Sequence, residues 1–390
     1  LFDHLFKEEH MEHSTVTRAR DLGVPFDGAP GRHNALTDVA GVEVGYRTVV
    51  DPEPETRRAC TGVTAILPRG REGLGDPCAA GVYSLNGNGE LTGRSWIEES
   101  GSLALPVVIT NSHAVGACHH AVDSWVHRVR PDLSLQWLLP TVGETWDGFL
   151  NDINGQWVTP EHAAEALDSA RGGPVAEGNV GGGTGMNCYG FKGGSGTASR
   201  VVDHGGTEYT VGVFVQANFG SRKELRVHGV DLGRNSTAPC ELEEGSWFVR
   251  DGEGSGVPGG SGSVIVVVGT DAPLLPTQCQ ALARRVPLGL ARTGTTGSHF
   301  SGDIFLAFST ANAGNLTSRL SLAPAGPDSY ERLDFIPWGH IDPLYTAVVE
   351  AVEESVVNAL VAAEDMVGRE GHRSHALPHD EVRAAFASRA

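Results

Sequence analysis

Apolar residues in this chain gather in short continuous runs, many of them β-branched, more often than they alternate with polar ones. The clearest run is Val264-Ile265-Val266-Val267-Val268, entered directly from Gly259-Gly260-Ser261-Gly262-Ser263. β-Branched side chains pack well on a pleated surface, and an unbroken apolar run predicts a strand buried on both faces. Further strands are predicted from Val39 to Tyr46, Gly62 to Leu67, Pro106 to Thr110, Thr210 to Gly220 and Ile304 to Phe308. Helices are expected at Trp96 to Glu99, over 113–130 up to Pro131, and from Thr159 as N-cap with Pro160 at the first position to Ala170. Thr277 to Arg285 reads as another. The most regular, 344–367, carries Val348, Val352, Val356, Leu360 and Ala363 at helical spacing, and the polar tail from His372 to Ala390 reads as a surface helix. Between these lie a polar connection (Asp51 to Glu55), a turn (Asn86 to Glu90), and loops over 140–155, 178–186 and 293–303. There is no internal repeat.

Composition narrows the function classes. The 390 residues are 40% apolar, enough for a sizeable core. With 29 basic and 48 acidic residues the formal charge is −19, which argues against nonspecific binding to nucleic acid or anionic membranes. No apolar stretch reaches the length of a membrane span. The six cysteines (60, 78, 118, 188, 240, 279) are scattered without a CxxC pair and read as reduced, structural thiols. The expectation for residues 1–18 is a frayed extension with Met11 as the true start. LFDHLFKEEH has no secretory character, and cytoplasm is the default compartment.

Several residues invite chemistry. Ser263 stands where a pliant loop meets a rigid strand. Its Oγ could attack the Gly262 carbonyl, shift the acyl group from nitrogen to oxygen and release a new N-terminus by ester hydrolysis. The freed residue would carry nucleophile and base together, because an α-amino group titrates at about 7.7–8.0. Gly245-Ser246, Gly254-Ser255 and Gly260-Ser261 are competing bonds, but only Ser263 abuts the apolar run. A Gly/Ser linker entering a core strand explains the same residues without chemistry. The 140–155 loop brings Glu144, Asp147 and Asp152, either a solvated surface or a receptor for a cation. Asn218 ends a strand, as a turn former or an oxyanion donor. Ser301 and Asp303 sit two apart at the entrance of the 304–308 strand. His299 suggests a Ser-His-Asp triad, but no GxSxG elbow exists to carry its nucleophile. His113, Cys118, His119 and His120 diverge around a helix, so packing or capping is expected there rather than a metal. The run from Gly178 to Met186 fits neither dinucleotide nor P-loop register and is read as a place of close backbone approach.

Seven ordered blocks carry a resemblance: GRSWIEESG (93–101), VGETWDGFLNDING, GNVGGGTGM, FKGGSGTASR, VGVFVQANFG, GSVIVVVGTDAPLLP and SGDIFLAFSTAN. On these the chain, from about Ala19 to Pro378, resembles the DmpA family of aminopeptidases, which includes the β-peptidyl aminopeptidases and belongs to the N-terminal-nucleophile hydrolases. The resemblance implies an αββα four-layer sandwich as one catalytic domain over 19–390, cut by itself between Gly262 and Ser263 into chains 1–262 and 263–390. Ser263 is then the nucleophile, Asn218 the oxyanion donor, and Ser301 with Asp303 the supporting hydroxyl and acid. Glu144 receives the substrate amine, and Trp146 neighbours the oxyanion. No cofactor and no metal are implied. The expected substrate is a small peptide or an amino-acid amide or ester, and the expected assembly is a homo-oligomer of processed heterodimers, a tetramer being one such form.

Two departures from the family pattern stand out. Trp146 replaces a usual Tyr, exchanging a phenol for a bulkier indole that donates but cannot accept. The stretch from Gly252 to Gly260 makes the loop before Ser263 longer than usual. Two alternatives stay open at this point. One is an acyltransferase of the ornithine-acetyltransferase type, against which a Ser rather than Thr nucleophile speaks. The other is a non-catalytic homologue that keeps the fold for binding.

Overall fold

The computed structural model describes residues 17–387, except 136, 245, 246, 248–258, 319–323 and 328. Most of the loop expected to be long (252–258), the extension up to 16 and the last residues of the tail therefore lie outside the described residues. Arg18, near the start of the described chain, pairs with the buried Glu177 at 2.8 Å.

Two sheets form the centre. The first has four strands in the order β1-β2-β5-β6: β1 (Glu43–Val50), β2 (Cys60–Leu67), β5 (Val107–Asn111) and β6 (Thr141–Thr145). The second has six, ordered β4-β3-β10-β9-β8-β7: β3 (Cys78–Ser84), β4 (Ser102–Leu103), β7 (Gly194–His204), β8 (Thr207–Gly220), β9 (Gly260–Thr270) and β10 (Ser301–Ser309). The principal helices are α1 (Arg94–Ser100), α2 (Val115–Val129), α3 (Pro160–Asp168), α4 (Pro276–Ala283), α5 (Val286–Arg292), α6 (Asp342–Val361) and α7 (His379–Phe386).

Alternation along the strands sorts side chains into three apolar layers. Val63, Ala65 and Leu67 of β2 face Val122, Trp125 and Leu167 of α2 and α3. Between the sheets, Ile66, Val107 and Ile109 meet Phe214, Ile265 and Val267. On the far side, Val264, Val266 and Val268 join Val348, Val352 and Val356 of α6. Successive residues of β9 thus enter different layers, which is why its sequence never alternates. The result is helix, sheet, sheet, helix, the expected αββα sandwich.

Some elements differ from the sequence expectation. β1 starts four residues later than Val39, because Leu36–Asp38 forms a 3-10 turn first. β6 falls inside the stretch read as the 140–155 loop, and β3 and β7 were not expected. β7 is built of small residues because α6 lies against it: a Cβ at Gly196 would come within 2.1 Å of the Ser355 carbonyl oxygen. Helix α6 ends at Val361 rather than 367, and Met366–Val367 pairs in a two-stranded ribbon. The tail helix α7 is anchored by buried Val382 and Phe386. Among the described residues no helix is long and apolar enough to cross a membrane.

Candidate active site

The start of β9 is where the sheet brings chemistry together. β9 pairs antiparallel with β8, setting Asn218 opposite Ser263, and parallel with β10, setting Gly302 beside Ser263 and Ser301 beside Gly262. A register shift between Asn218 and Gly220 loosens the ladder just past this point, as bulges near sites do. Gly262 can only be glycine here. A Cβ would lie 1.9 Å from the Asn218 carbonyl oxygen, at φ +157°.

Ser263 Oγ donates to the carbonyl oxygen of Gly262 at 2.6 Å and accepts from the Gly302 N–H at 3.2 Å. Ser301 Oγ donates to Asp303 Oδ1 at 2.5 Å, and Asn86 Nδ2 donates to Oδ2 at 2.9 Å. Burial pushes the Asp303 carboxyl up, opposed by these donors. Asn218 is fixed at both ends of its amide: Oδ1 accepts from the Asn187 N–H at 2.8 Å, and Nδ2 donates to the Trp146 carbonyl at 2.9 Å. A backbone N–H can only donate and a carbonyl can only accept, so the amide has one allowed orientation. A second hydrogen remains on Nδ2.

Glu144 comes from the other sheet. Strand β6 carries it, buried, to the same cleft, where Oε1 accepts from the Glu90 N–H at 2.9 Å and Oε2 from Ser112 Oγ. Burial raises its pKa against the pull of those two donors. The turn read at Asn86–Glu90 spans the gap between the two sheets. Its Asn86 holds Asp303 and its Glu90 N–H holds Glu144, while a Cβ on Gly89 would touch Gly302 Cα at 3.0 Å and Glu144 Oε1 at 3.2 Å. All of these groups line or flank one cleft of about 620 Å³, with Phe149, Leu242 and Phe300 as its apolar wall. That is room for a small peptide.

Ser263, Gly262, Asn218, Glu144 and Trp146 all line the cleft, while Ser301 and Asp303 lie on β10 beside Gly262 and Val264 of β9. The Trp146 ring turns into an aromatic group, stacking on Trp247 at 6.2 Å, and it packs so close that Gly148 could bear no Cβ (2.3 Å). The other carboxylates of this stretch go elsewhere. Asp152 pairs with Arg58, and Asp147 is fully buried, its carboxyl pushed up by burial to about 7. His299 packs edge-on against Phe300 (5.1 Å) and meets no triad. Cys118 is buried in the core while His119 faces Asp123 at 3.6 Å, and among the described residues no His, Cys, Asp and Glu group is arranged to hold a metal. The Gly178–Met186 run does pass close to other backbone: Cβ atoms on Gly183 and Gly185 would lie 2.3 Å from Ser195 N and 2.2 Å from the Cys60 carbonyl oxygen.

Sequence reasoning missed Ser112, Asn86, Asn187 and Lys192. The first three support Glu144, Asp303 and Asn218 from elements distant in the chain, and no local spacing announces them. Lys192 is fully buried, its ammonium held down to about 7 by desolvation. A lysine inside a Gly-rich block is a signal in itself, since lysine is almost never fully buried without a reason.

The sequence model of Peptidase family S58 matches residues 34–374. The chain is 48% identical over 377 residues to the beta-peptidyl aminopeptidase BapA of Sphingosinicella microcystinivorans, covering 94% of this chain and 91% of that one. Among solved structures, the L-aminopeptidase D-Ala-esterase/amidase of Ochrobactrum anthropi, described as a serine aminopeptidase with a variant of the Ntn hydrolase fold, superimposes with a TM-score of 0.84 at 43% identity, over 95% of this chain and 98% of that one. A beta-aminopeptidase from Burkholderia sp. superimposes equally well, with a TM-score of 0.84, 43% identity, and coverage of 95% and 99%.

Proposed function

The chain belongs to peptidase family S58 and is a serine aminopeptidase/amidase of the Ntn-hydrolase fold, and we propose that Ser263, freed by self-cleavage after Gly262, is its nucleophile. The observation that carries this reading is the position of Ser263 Oγ, 2.6 Å from the carbonyl oxygen of the bond to be cut. In the first act Oγ attacks the Gly262 carbonyl carbon, the amide nitrogen leaves as the Ser263 amine, and water hydrolyses the resulting ester. In each later turnover a substrate ammonium docks on Glu144. Asn218 Nδ2 donates to the oxygen that becomes negative, and the Ser263 amine takes the Oγ proton. Ser301, held by Asp303, relays or steadies that proton. The acyl-enzyme then yields to water.

Charge supports the amine site. A carboxylate in a partly dry cleft binds a cation far better than one in water. The substrate class we infer is the small peptide, or amino-acid amide or ester, with a free amino end. A homo-oligomer of processed chains belongs to this reading, supported by Leu135 and Trp137, which are 89% and 82% exposed. A cytoplasmic location also belongs to it, supported by six cysteines that are all buried and unpaired.

Intact-mass measurement and a denaturing gel test the reading. Active wild-type protein should run as two chains meeting at Gly262-Ser263, and Ser263→Ala as one inactive chain. A processed Ser263→Ala protein, or full activity in an uncut wild type, ends it.

A further inference from the structure

The proposed chemistry leaves the buried Lys192 unused. Lys192 is 0% exposed, and no carboxylate pairs with it among the described residues. Its three protons go instead to main-chain carbonyls: Gly193 at 2.7 Å, Met186 at 2.9 Å and Gly183 at 3.4 Å. An ammonium taken from water into such a place is costly, so the fold must gain from keeping it there.

What it holds is informative. The Met186 carbonyl that receives Nζ and the Asn187 N–H that donates to Asn218 Oδ1 are the two ends of one peptide unit. We propose that Lys192 is a positioning residue for the oxyanion donor, acting through the Met186–Asn187 peptide plane upon the side-chain amide of Asn218. The peptide plane is rigid, so fixing its carbonyl also fixes its N–H. A cation at the carbonyl end polarises the unit, making the N–H a stronger donor. That in turn draws electron density toward Asn218 Oδ1 and leaves Nδ2–H a better donor to a developing oxyanion. The far side of the same loop is pinned as well. Ser374 Oγ donates to Asn187 Oδ1 at 2.6 Å, and the Lys192 N–H donates to the His375 carbonyl at 2.7 Å. Lys192 therefore does for Asn218 what a carboxylate does for a catalytic imidazole: it touches no substrate but sets the donor's aim and strength.

The inference rests on Asn218 being the oxyanion donor, and a mutant cycle separates the two claims. Lys192→Met, Asn218→Ala and the double variant are compared by kcat and KM on an aminoacyl p-nitroanilide, using the processed protein, with thermal melting as the check of folding. Lys192→Met is expected to lower kcat by about 10²-fold, the effect of a displaced catalytic group, with KM little changed. In the Asn218→Ala background it should cost nothing further. Lys192→Gln, which keeps a donor without the charge, should recover only part of the loss, and it stands in if Lys192→Met fails to fold. Equal losses with and without Asn218 would show a general structural role and overturn the proposal. A full kcat in either Lys192 variant would overturn it too. A full kcat in Asn218→Ala would overturn both this inference and the role given to Asn218. Should a folded Lys192→Met remain uncut, Asn218→Ala must also remain uncut, and normal cutting of Asn218→Ala would refute the link.

Discussion

Replacing Glu144 with Gln separates recognition of the substrate amine from the bond-breaking machinery. The substitution fits the site: a Gln carbonyl can keep the acceptor role toward the Glu90 N–H, while its NH2 faces Ser112 Oγ, a hydroxyl free to turn and accept. The fold keeps its hydrogen bonds and loses one negative charge. A hydrogen bond to a charged partner contributes about 1.5–3 kcal/mol, so kcat/KM for a substrate with a free amine should fall roughly 10- to 150-fold at about 1.4 kcal/mol per decade. The deciding assay compares each aminoacyl anilide with its des-amino analogue. Wild type should favour the amine strongly, and Glu144→Gln should have lost most of that preference. The pH dependence has a definite sign. Burial holds the Glu144 pKa above its ordinary value, so the charged form is present above that pKa and is lost as pH falls. KM should therefore rise on the acid side in wild type and stay flatter in the variant. Unchanged preference for the free amine in Glu144→Gln would refute the assignment.

Two further outcomes follow from the geometry. Asp147 is fully buried with a carboxyl pushed from 3.8 to about 7 by desolvation. The folded chain thus holds a proton that the unfolded chain gives up, and stability is lost as pH rises from about 4 through about 7. Asp147→Asn should stabilise by up to about 4 kcal/mol at pH 8 and by less than about 2 kcal/mol at pH 5, read as a larger rise in melting temperature at pH 8, and an equal effect at both pH values would contradict this. Gly262→Ala places a Cβ 1.9 Å from the Asn218 carbonyl oxygen. Displacing the scissile bond by about 1 Å should slow appearance of the two chains about 10²-fold on a gel time course, and cutting at the wild-type pace would show that the site is looser than described.

Much of the scaffold was written in local pattern. Val264 to Val268 and Thr210 to Gly220 announced buried strands, and the Thr159-Pro160 start of α3 announced itself. The strands that escaped notice share a cause. β6 reads as polar, yet it is wholly buried because its polar groups meet partners from elsewhere: Glu144 with Ser112, and Thr145 Oγ1 with Gln216 Nε2 at 2.7 Å. The first half of β7 is rich in Gly and Ser, and α6 lies so close to it that Gly196 has no room for a Cβ. In both, long-range packing overrides local propensity, and single-chain pattern cannot see it. The site divides the same way. Ser263 was marked by its position at a loop–strand junction; for Glu144 and Asn218 the residues offered a functional and a bland reading that the family resemblance decided between, and the roles expected of Ser301 and Asp303 came through that resemblance. The supports Asn86, Ser112, Asn187 and Lys192 become visible only once the sheets are assembled.

One cleft serving both the cut and the turnover explains why the mutants should sort into two kinds. Ser261 and Gly262 line the cleft beside Ser263, so in the uncut chain the protein's own backbone sits where a substrate acyl group would lie. On the proposed mechanism the first carbonyl attacked is its own. The parts proposed to act on a carbonyl (Ser263 as nucleophile and Asn218, with Lys192 behind it) should then serve processing as well as hydrolysis, loss of Ser263 abolishing both and loss of Asn218 or Lys192 slowing both. Glu144 is proposed to act on an amine, and the internal bond at Gly262 offers none. Its loss should leave processing intact while turnover fails. Nor should the cut release the two halves: β9 lies between β8, which precedes the bond, and β10, which follows it, and α6 from the second half packs on β7 and β8 of the first. The burial that sets Ser263 in a sheet would also keep it in place if its backbone were severed as proposed.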